Sequence, residues 1–296
     1  MTFELRMLVV VLSAFVAAGV VGSAVVPALS SRAARQTAWA RSRTLFYARL
    51  LPTAFGLFAS GLAFAAYLLF ERCGPEPTGL LLPALAICGV LMAVAAALRL
   101  ARTMRATSVA LSQWMRTADA VTLPGVTIPA FAVDAAFPVV AVVGIRRPRL
   151  VIARSVLEAC TRDELAAILV HEQHHVDRRD NFRRAVMIAL PDLFAWLPAS
   201  RRLLADWREA GEDAADEAAE RLGAHGRLLL AQALIRVARL APPDTRATPV
   251  MASATGTRAR FCAPAAISRA TCSLTAPCWR RVSAETPRSS CLAAFE

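Results

Sequence analysis

Lysine is missing: all 34 basic residues of this 296-residue chain are arginine. Without lysine there is no phosphate-loop amine, no Schiff base and no Ser-x-x-Lys acylating pair. Charge of either sign is sparse, at 19% of residues against 56% hydrophobic, and the mean hydropathy is +0.47. A soluble domain of this length is rarely so apolar, so a membrane protein of one or two domains is expected. Cys-x-x-Cys is also lacking among the 7 cysteines. An odd count without that pair speaks against a disulfide framework and a cysteine-based zinc site, and fits a catalytic part kept in a reducing compartment.

Long uncharged apolar runs stand in place of charge. Residues 7–26, 50–70 and 79–98 carry none within those limits, and about 20 residues suffice to cross a bilayer core as a helix. The first run is too long for the apolar core of a signal peptide and follows both Glu4 and Arg6, so it is read as an uncleaved anchor. Arg32, Arg35, Arg41, Arg43 and Arg49 lie between the first two runs without an acid. Glu71, Arg72 and Glu76 lie between the second and third, and Arg99, Arg102, Arg105 and Arg116 follow. By the positive-inside rule, the first loop and everything after Leu98 are cytoplasmic and the N-terminus is outside. Trp39, Phe46 and Tyr47 among those arginines suit a segment lying at the headgroup level. Between two spans, such a cluster reads as membrane surface, and no direct nucleic-acid partner is expected.

The transmembrane region is therefore set at 1–105, a linker at 106–135, a catalytic domain at 136–240 and a tail at 241–296. The β-branched runs at 139–143 and 150–152, parted by Gly144-Ile-Arg-Arg-Pro148, predict a hairpin. A strand just ahead of a metal-site helix can serve as an edge for a peptide substrate, although the same run also reads as a plain structural hairpin. Residues 185–197 are apolar but interrupted by Pro191 and Asp192. They are expected to form a buried helix or a shallow re-entrant segment rather than a fourth span. The tail holds four of the seven cysteines, is rich in Ala, Thr, Ser, Pro and Arg, and shows no periodicity. It is expected to be disordered.

One stretch organises the rest: Thr161-Arg-Asp-Glu-Leu-Ala-Ala-Ile-Leu-Val-His-Glu-Gln-His-His175. Thr161 and Glu164 form a capping box, and Leu165, Ile168 and Leu169 recur at helical spacing, so a helix runs into the histidines. Positions four apart on a helix differ by about 40° and about 6 Å. His171 and His175 can then reach one metal ion, while Glu172 sits beside them as a base for water: the HExxH arrangement. Random placement of 4 His and 12 Glu in this chain predicts about 0.002 such matches.

Two histidines leave a tetrahedral zinc site short of a protein ligand. The acidic run from Glu209 to Glu217 puts Glu212 and Asp216 on one helix face, so Glu212 can bind the metal and Asp216 can orient a ligand imidazole. Glu209 is the reserve candidate, and a solvated acidic face is the plain alternative.

The stretches Pro138-Val-Val-Ala-Val-Val-Gly-Ile-Arg-Arg-Pro-Arg-Leu-Val-Ile152, Glu164-Leu-Ala-Ala-Ile-Leu-Val-His-Glu-Gln-His-His175 and Arg178-Arg-Asp-Asn181 together resemble the BlaR/MecR membrane metallopeptidase family. Glu212-Asp-Ala-Ala-Asp216 matches its later Glu-x-x-x-Asp element. The resemblance covers roughly residues 80 to 240. It implies a mainly α membrane protein, with three transmembrane helices followed by a cytoplasmic α+β gluzincin-type peptidase domain. It also implies zinc held by His171, His175 and Glu212, with Glu172 catalytic. Members cleave themselves or a cytoplasmic transcriptional repressor in response to a cell-wall or antibiotic signal. The best-known sensors add an extracellular penicillin-binding domain, which the residues after 240 do not resemble, so direct β-lactam sensing is not expected. A quality-control protease of the Ste/Htp type and a non-catalytic zinc-binding receptor are the other readings. The stretch 144–148 and the Arg178–Asn181 element argue against the first, and an intact Glu172 against the second.

Overall fold

A computed structural model describes residues 2–70, 79–191 and 198–241. The expected outer loop around 71–77, the end of the 185–197 segment and the tail beyond 241 lie outside the described residues. The chain is mostly helical, with three helices long and apolar enough to cross a membrane ahead of a small α+β domain.

The first of these helices comprises α1 (Phe3–Ser23) and the short α2 (Val26–Ala33), followed by α3 (Ala38–Phe70) and α4 (Leu81–Trp114). Their outer surfaces are apolar and open, with Phe58 69% and Leu69 75% exposed, as helices solvated by lipid require. The faces they turn to one another are lined by small residues, which let backbones approach where no hydrophobic drive exists. At Gly56 a Cβ would come within 2.8 Å of the Phe15 ring and carbonyl, so α1 and α3 could not close as they do with any larger residue. The Ser60 hydroxyl donates to the Val11 carbonyl across the same contact, at 3.0 Å.

Both later helices outrun the apolar windows read from sequence. α3 begins at Ala38, twelve residues before the expected span, and α4 continues to Trp114. The arginine-rich stretch 38–49, expected at the headgroup level, is thus a direct extension of α3 towards the following domain. Its Leu45 and Phe46 pack with Ala33 against Met187, Leu203 and Trp207 of the following domain. Hydropathy registers only the lipid-solvated part of a helix, and protein contacts carry this one further.

Residues 106–135, expected as a linker, instead hold the end of α4 and the strands β1 (Asp119–Val121) and β2 (Ala130–Val133). The expected hairpin forms as β3 (Val140–Val143) and β4 (Arg149–Ala153), paired antiparallel with Val142 opposite Leu150. The sheet order is β1-β2-β4-β3, with β2 and β4 parallel. β4 lies inside and Leu150, Val151, Ile152 and Ala153 are fully buried, whereas β3 forms an edge.

Then come α5 (Arg154–Ala159), α6 (Arg162–Asp177), α7 (Asp180–Ala189), α8 (Pro198–Ala218) and α9 (Gly226–Leu240). Ile152, Val156, Ala167, Ile168, Leu230 and Val237 make the core that joins sheet, α6 and α9. The capping box starts α6: the Thr161 amide donates to Glu164 at 2.8 Å and the Glu164 amide to the Thr161 hydroxyl at 3.3 Å. Arg236 of α9 ties the buried Glu164 carboxylate at 3.0 Å. The described part of 185–197 continues α7, a 10-residue helix; at about 15 Å it is half the length needed to span. The Arg99 guanidinium donates to the Leu190 carbonyl at 3.4 Å and the Thr53 hydroxyl to the Pro191 carbonyl at 3.3 Å, so α4 and α3 hold the end of α7.

Candidate metal centre

Helix α6 buries Ala167, Ile168 and Leu169 on its sheet side and turns His171 and His175 towards α8. Helix α8 approaches closely because the residues behind its acidic face are small: Ala210, Ala214, Ala215 and Ala218 are all buried. Glu212 and Asp216, one turn apart, meet the two histidines across this contact. Nε2 of His171 and Nε2 of His175 are 3.3 Å apart, and the Glu212 carboxylate oxygens lie 3.8 and 3.7 Å from them. Ligands on a tetrahedral zinc with bonds of about 2.0–2.1 Å sit about 3.3–3.4 Å from one another. The triangle is within a few tenths of an ångström of that requirement. It is the group among the described residues whose His and carboxylate atoms come close enough to share an ion.

The far side of each imidazole is also held. His171 Nδ1 lies 3.0 Å from the Asp216 carboxylate, and His175 Nδ1 lies 2.9 Å from Asp180. Asp180 can accept the His175 Nδ1 hydrogen, whereas Asp216 stands beside His171 Nδ1 without hydrogen-bond alignment. On both rings it is Nε2 that faces the shared point. Asp216 stands where the sequence put it. The sequence marks Asp180 only as part of the Arg178–Asn181 element. Its position comes from the elbow between α6 and α7, where Arg179 adopts a left-handed conformation at φ 53° and returns Asp180 onto the helix it follows. The Glu-x-x-x-Asp spacing gave a helical reason to pair Glu212 with Asp216, and no periodic signal crosses a helix end.

Glu172 lies beside the triangle, and the backbone of Val142 in β3 hydrogen-bonds its carboxylate. Burial pushes its carboxyl above the usual glutamate range and Glu212 adds to this, while the His171 and His175 imidazoles and the Val142 bond oppose it. Adjacent histidines differ sharply in their surroundings. Burial alone would lower His175, but the Asp180 bond and the Glu212 and Glu172 carboxylates carry it up to about 9. His174, buried with Arg178 and His175 nearby, is pushed down to about 4. Carboxylates thus surround His175, and His174 lies outside the triangle. Glu209, the reserve ligand, is 47% exposed and faces Arg41 at 3.8 Å; it is not part of the triangle.

Removing either supporting carboxylate should loosen the metal without removing a ligand. Asp216→Asn and Asp180→Asn are each expected to weaken zinc binding about 10- to 100-fold, measured by competition with a chromophoric chelator. Unchanged affinity in both would mean that the imidazoles need no orientation from these groups.

No curated protein and no solved structure matches the chain. A family model does: that of BlaR1 peptidase M56 matches residues 80–263, more than half of the 296-residue chain, and takes in α4, the sheet and every side chain of the triangle. With membrane-crossing helices, a small α+β domain and a His-His-Glu cluster already in place, that match is decisive, and the chain belongs to the BlaR1 peptidase M56 family.

Proposed function

We propose that the chain is a zinc-dependent endopeptidase, with its catalytic domain on the cytoplasmic side of a multi-pass cell-membrane protein. Its substrate in this reading is a protein at the inner membrane face, the chain itself or a cytoplasmic transcriptional repressor, cleaved as part of a signalling response. The observation that carries it is the spacing of His171, His175 and Glu212 with Glu172 beside them. When bound there, zinc supplies Lewis acidity to a water and to the scissile carbonyl. His171, His175 and Glu212 hold the ion, and Asp216 and Asp180 keep the imidazoles in the ligating tautomer. Glu172 takes the proton of the attacking water and delivers it to the departing amine.

The edge strand supports a peptide substrate. Asn181 donates to the Val142 carbonyl at 2.8 Å and to the Gly144 carbonyl at 3.2 Å, so this end of β3 is fastened to α7. Val140, two residues back, presents its amide and carbonyl on the same outward side. An extended peptide pairing there would run towards Glu172.

Expressing the chain together with soluble reporter proteins tests the activity. New cleavage products, from the chain or a reporter, should appear on the cytoplasmic side and vanish when zinc is chelated. Products that persist under chelation would overturn the reading. Orientation has its own test, motivated by the arginine asymmetry between loops. An impermeant thiol reagent on intact cells should label Cys73 and spare Cys160; the reverse pattern inverts the topology.

A further inference from the structure

The inward extension of α3 reaches the metal centre through an aromatic clamp. The Arg178 guanidinium lies 5.5 Å from the centre of the Trp39 ring, and Arg43, one turn further along α3, lies 4.6 Å from the same ring. The Arg178 side chain is only 8% exposed and faces the Asp180 carboxylate across 3.9 Å. Asp180 in turn holds His175 Nδ1 at 2.9 Å. Arg178 also ends α6, its amide donating to the His174 carbonyl at 3.1 Å. One residue further, Arg179 is left-handed. Whatever fixes the Arg178 side chain therefore fixes the elbow from which Asp180 returns to a metal ligand.

A buried guanidinium opposite a single carboxylate at 3.9 Å is too far for a hydrogen bond, so that pair alone does not define its geometry. The indole of Trp39, itself 45% exposed, adds a directional cation–π contact to this buried guanidinium. Below the clamp, Leu45 and Phe46 of α3 pack in one core with Met187 of α7 and Trp207 of α8. The same few turns of a membrane-crossing helix thus bear on both helices that approach the triangle from outside α6. Displacing them would move Asp180 relative to His175.

We propose that Trp39, on the inward extension of a membrane-crossing helix, is a positioning residue for the metal centre: by clamping Arg178 it sets the elbow that orients His175, and so sets zinc affinity. This rests on the metal reading of His171, His175 and Glu212. Through it, a shift of α3 within the membrane is converted into a change of metal affinity and activity.

The test uses the full chain in detergent or bilayer discs, with zinc affinity read by chelator competition and apo-protein melting followed in parallel. Removing a carboxylate that touches a ligand imidazole typically costs 10- to 100-fold, so a residue two contacts further out should cost less, about 3- to 10-fold. Trp39→Ala is expected to weaken zinc by that factor, with Trp39→Phe recovering most of it because a ring face remains. Tyr47→Ala, which removes a 59% exposed aromatic from the same helix, should leave affinity unchanged. Unchanged affinity in Trp39→Ala overturns the proposal, as does a loss that Trp39→Phe fails to recover or that Tyr47→Ala reproduces. A wild-type chain that binds no zinc at all would instead sink the metal reading.

Discussion

Replacing Glu172 by Gln should leave the zinc content unchanged and lower proteolysis by about 10²- to 10⁴-fold, the range supplied by a positioned general base. The amide is nearly isosteric and keeps an oxygen that can accept the Val142 hydrogen bond, so the fold and the edge strand should stay in place. It cannot take a proton at neutral pH. Glu172 stands beside the triangle of His171, His175 and Glu212 rather than within it, which is why metal and activity should separate in this variant. Equal activity in wild type and Glu172→Gln would remove the enzymatic reading. Loss of zinc would show that the carboxylate is a ligand.

The second large effect is expected at Glu212. Its two carboxylate oxygens lie 3.7 and 3.8 Å from Nε2 of His175 and His171, and two imidazoles without it would leave an ill-defined zinc site. Glu212→Ala should therefore remove metal and activity together. Glu209→Ala is the matched control: it deletes a carboxylate from the same helix, one that is exposed and faces Arg41. Exposed pairs of this kind are worth about 0–1 kcal/mol, so zinc and activity should remain mostly intact. A chain that keeps its zinc after Glu212→Ala and loses it after Glu209→Ala would exchange the two assignments.

How much of this could be read from the sequence depended on whether a period carried it. His171, Glu172 and His175 follow from a helix whose cap and apolar face are both local, and the capping box of Thr161 and Glu164 is formed as read. Glu212 and Asp216 were legible for the same reason, since one turn separates them. The hairpin of β3 and β4 was legible from two β-branched runs around a glycine-proline turn. Asp180 was not, because it reaches His175 through a left-handed residue between two helices. Strands β1 and β2 also escaped notice. They are 3 and 4 residues long, and Ala120, Ala130 and Ala132 give little strand propensity, so pairing with neighbours decides them. The turns of α3 and α4 nearest the following domain were hidden by their arginines. A hydropathy window ends where lipid ends, whereas Leu45 is buried against Met187 and Trp207 of the next domain rather than by lipid.

These differences bear on function. A linker between membrane and domain would let the two move independently. A continuous α3 whose first turns share a core with α7 and α8 makes the domain an extension of the apolar helices. Arg99 and Thr53, on α4 and α3, reinforce this by holding the carbonyls at the end of α7. That continuity provides a mechanical route from these helices to the candidate site.

The central claim is that two imidazoles and one carboxylate hold zinc at this place. Zinc-edge X-ray absorption on the purified full chain tests it most directly. The account predicts one zinc per chain, with nitrogen and oxygen neighbours at about 2.0–2.2 Å, two of them imidazole, and no sulfur. A shell containing sulfur at about 2.3 Å would place the metal on cysteines instead. That result, or a spectrum unaltered by Glu212→Ala, would contradict the account.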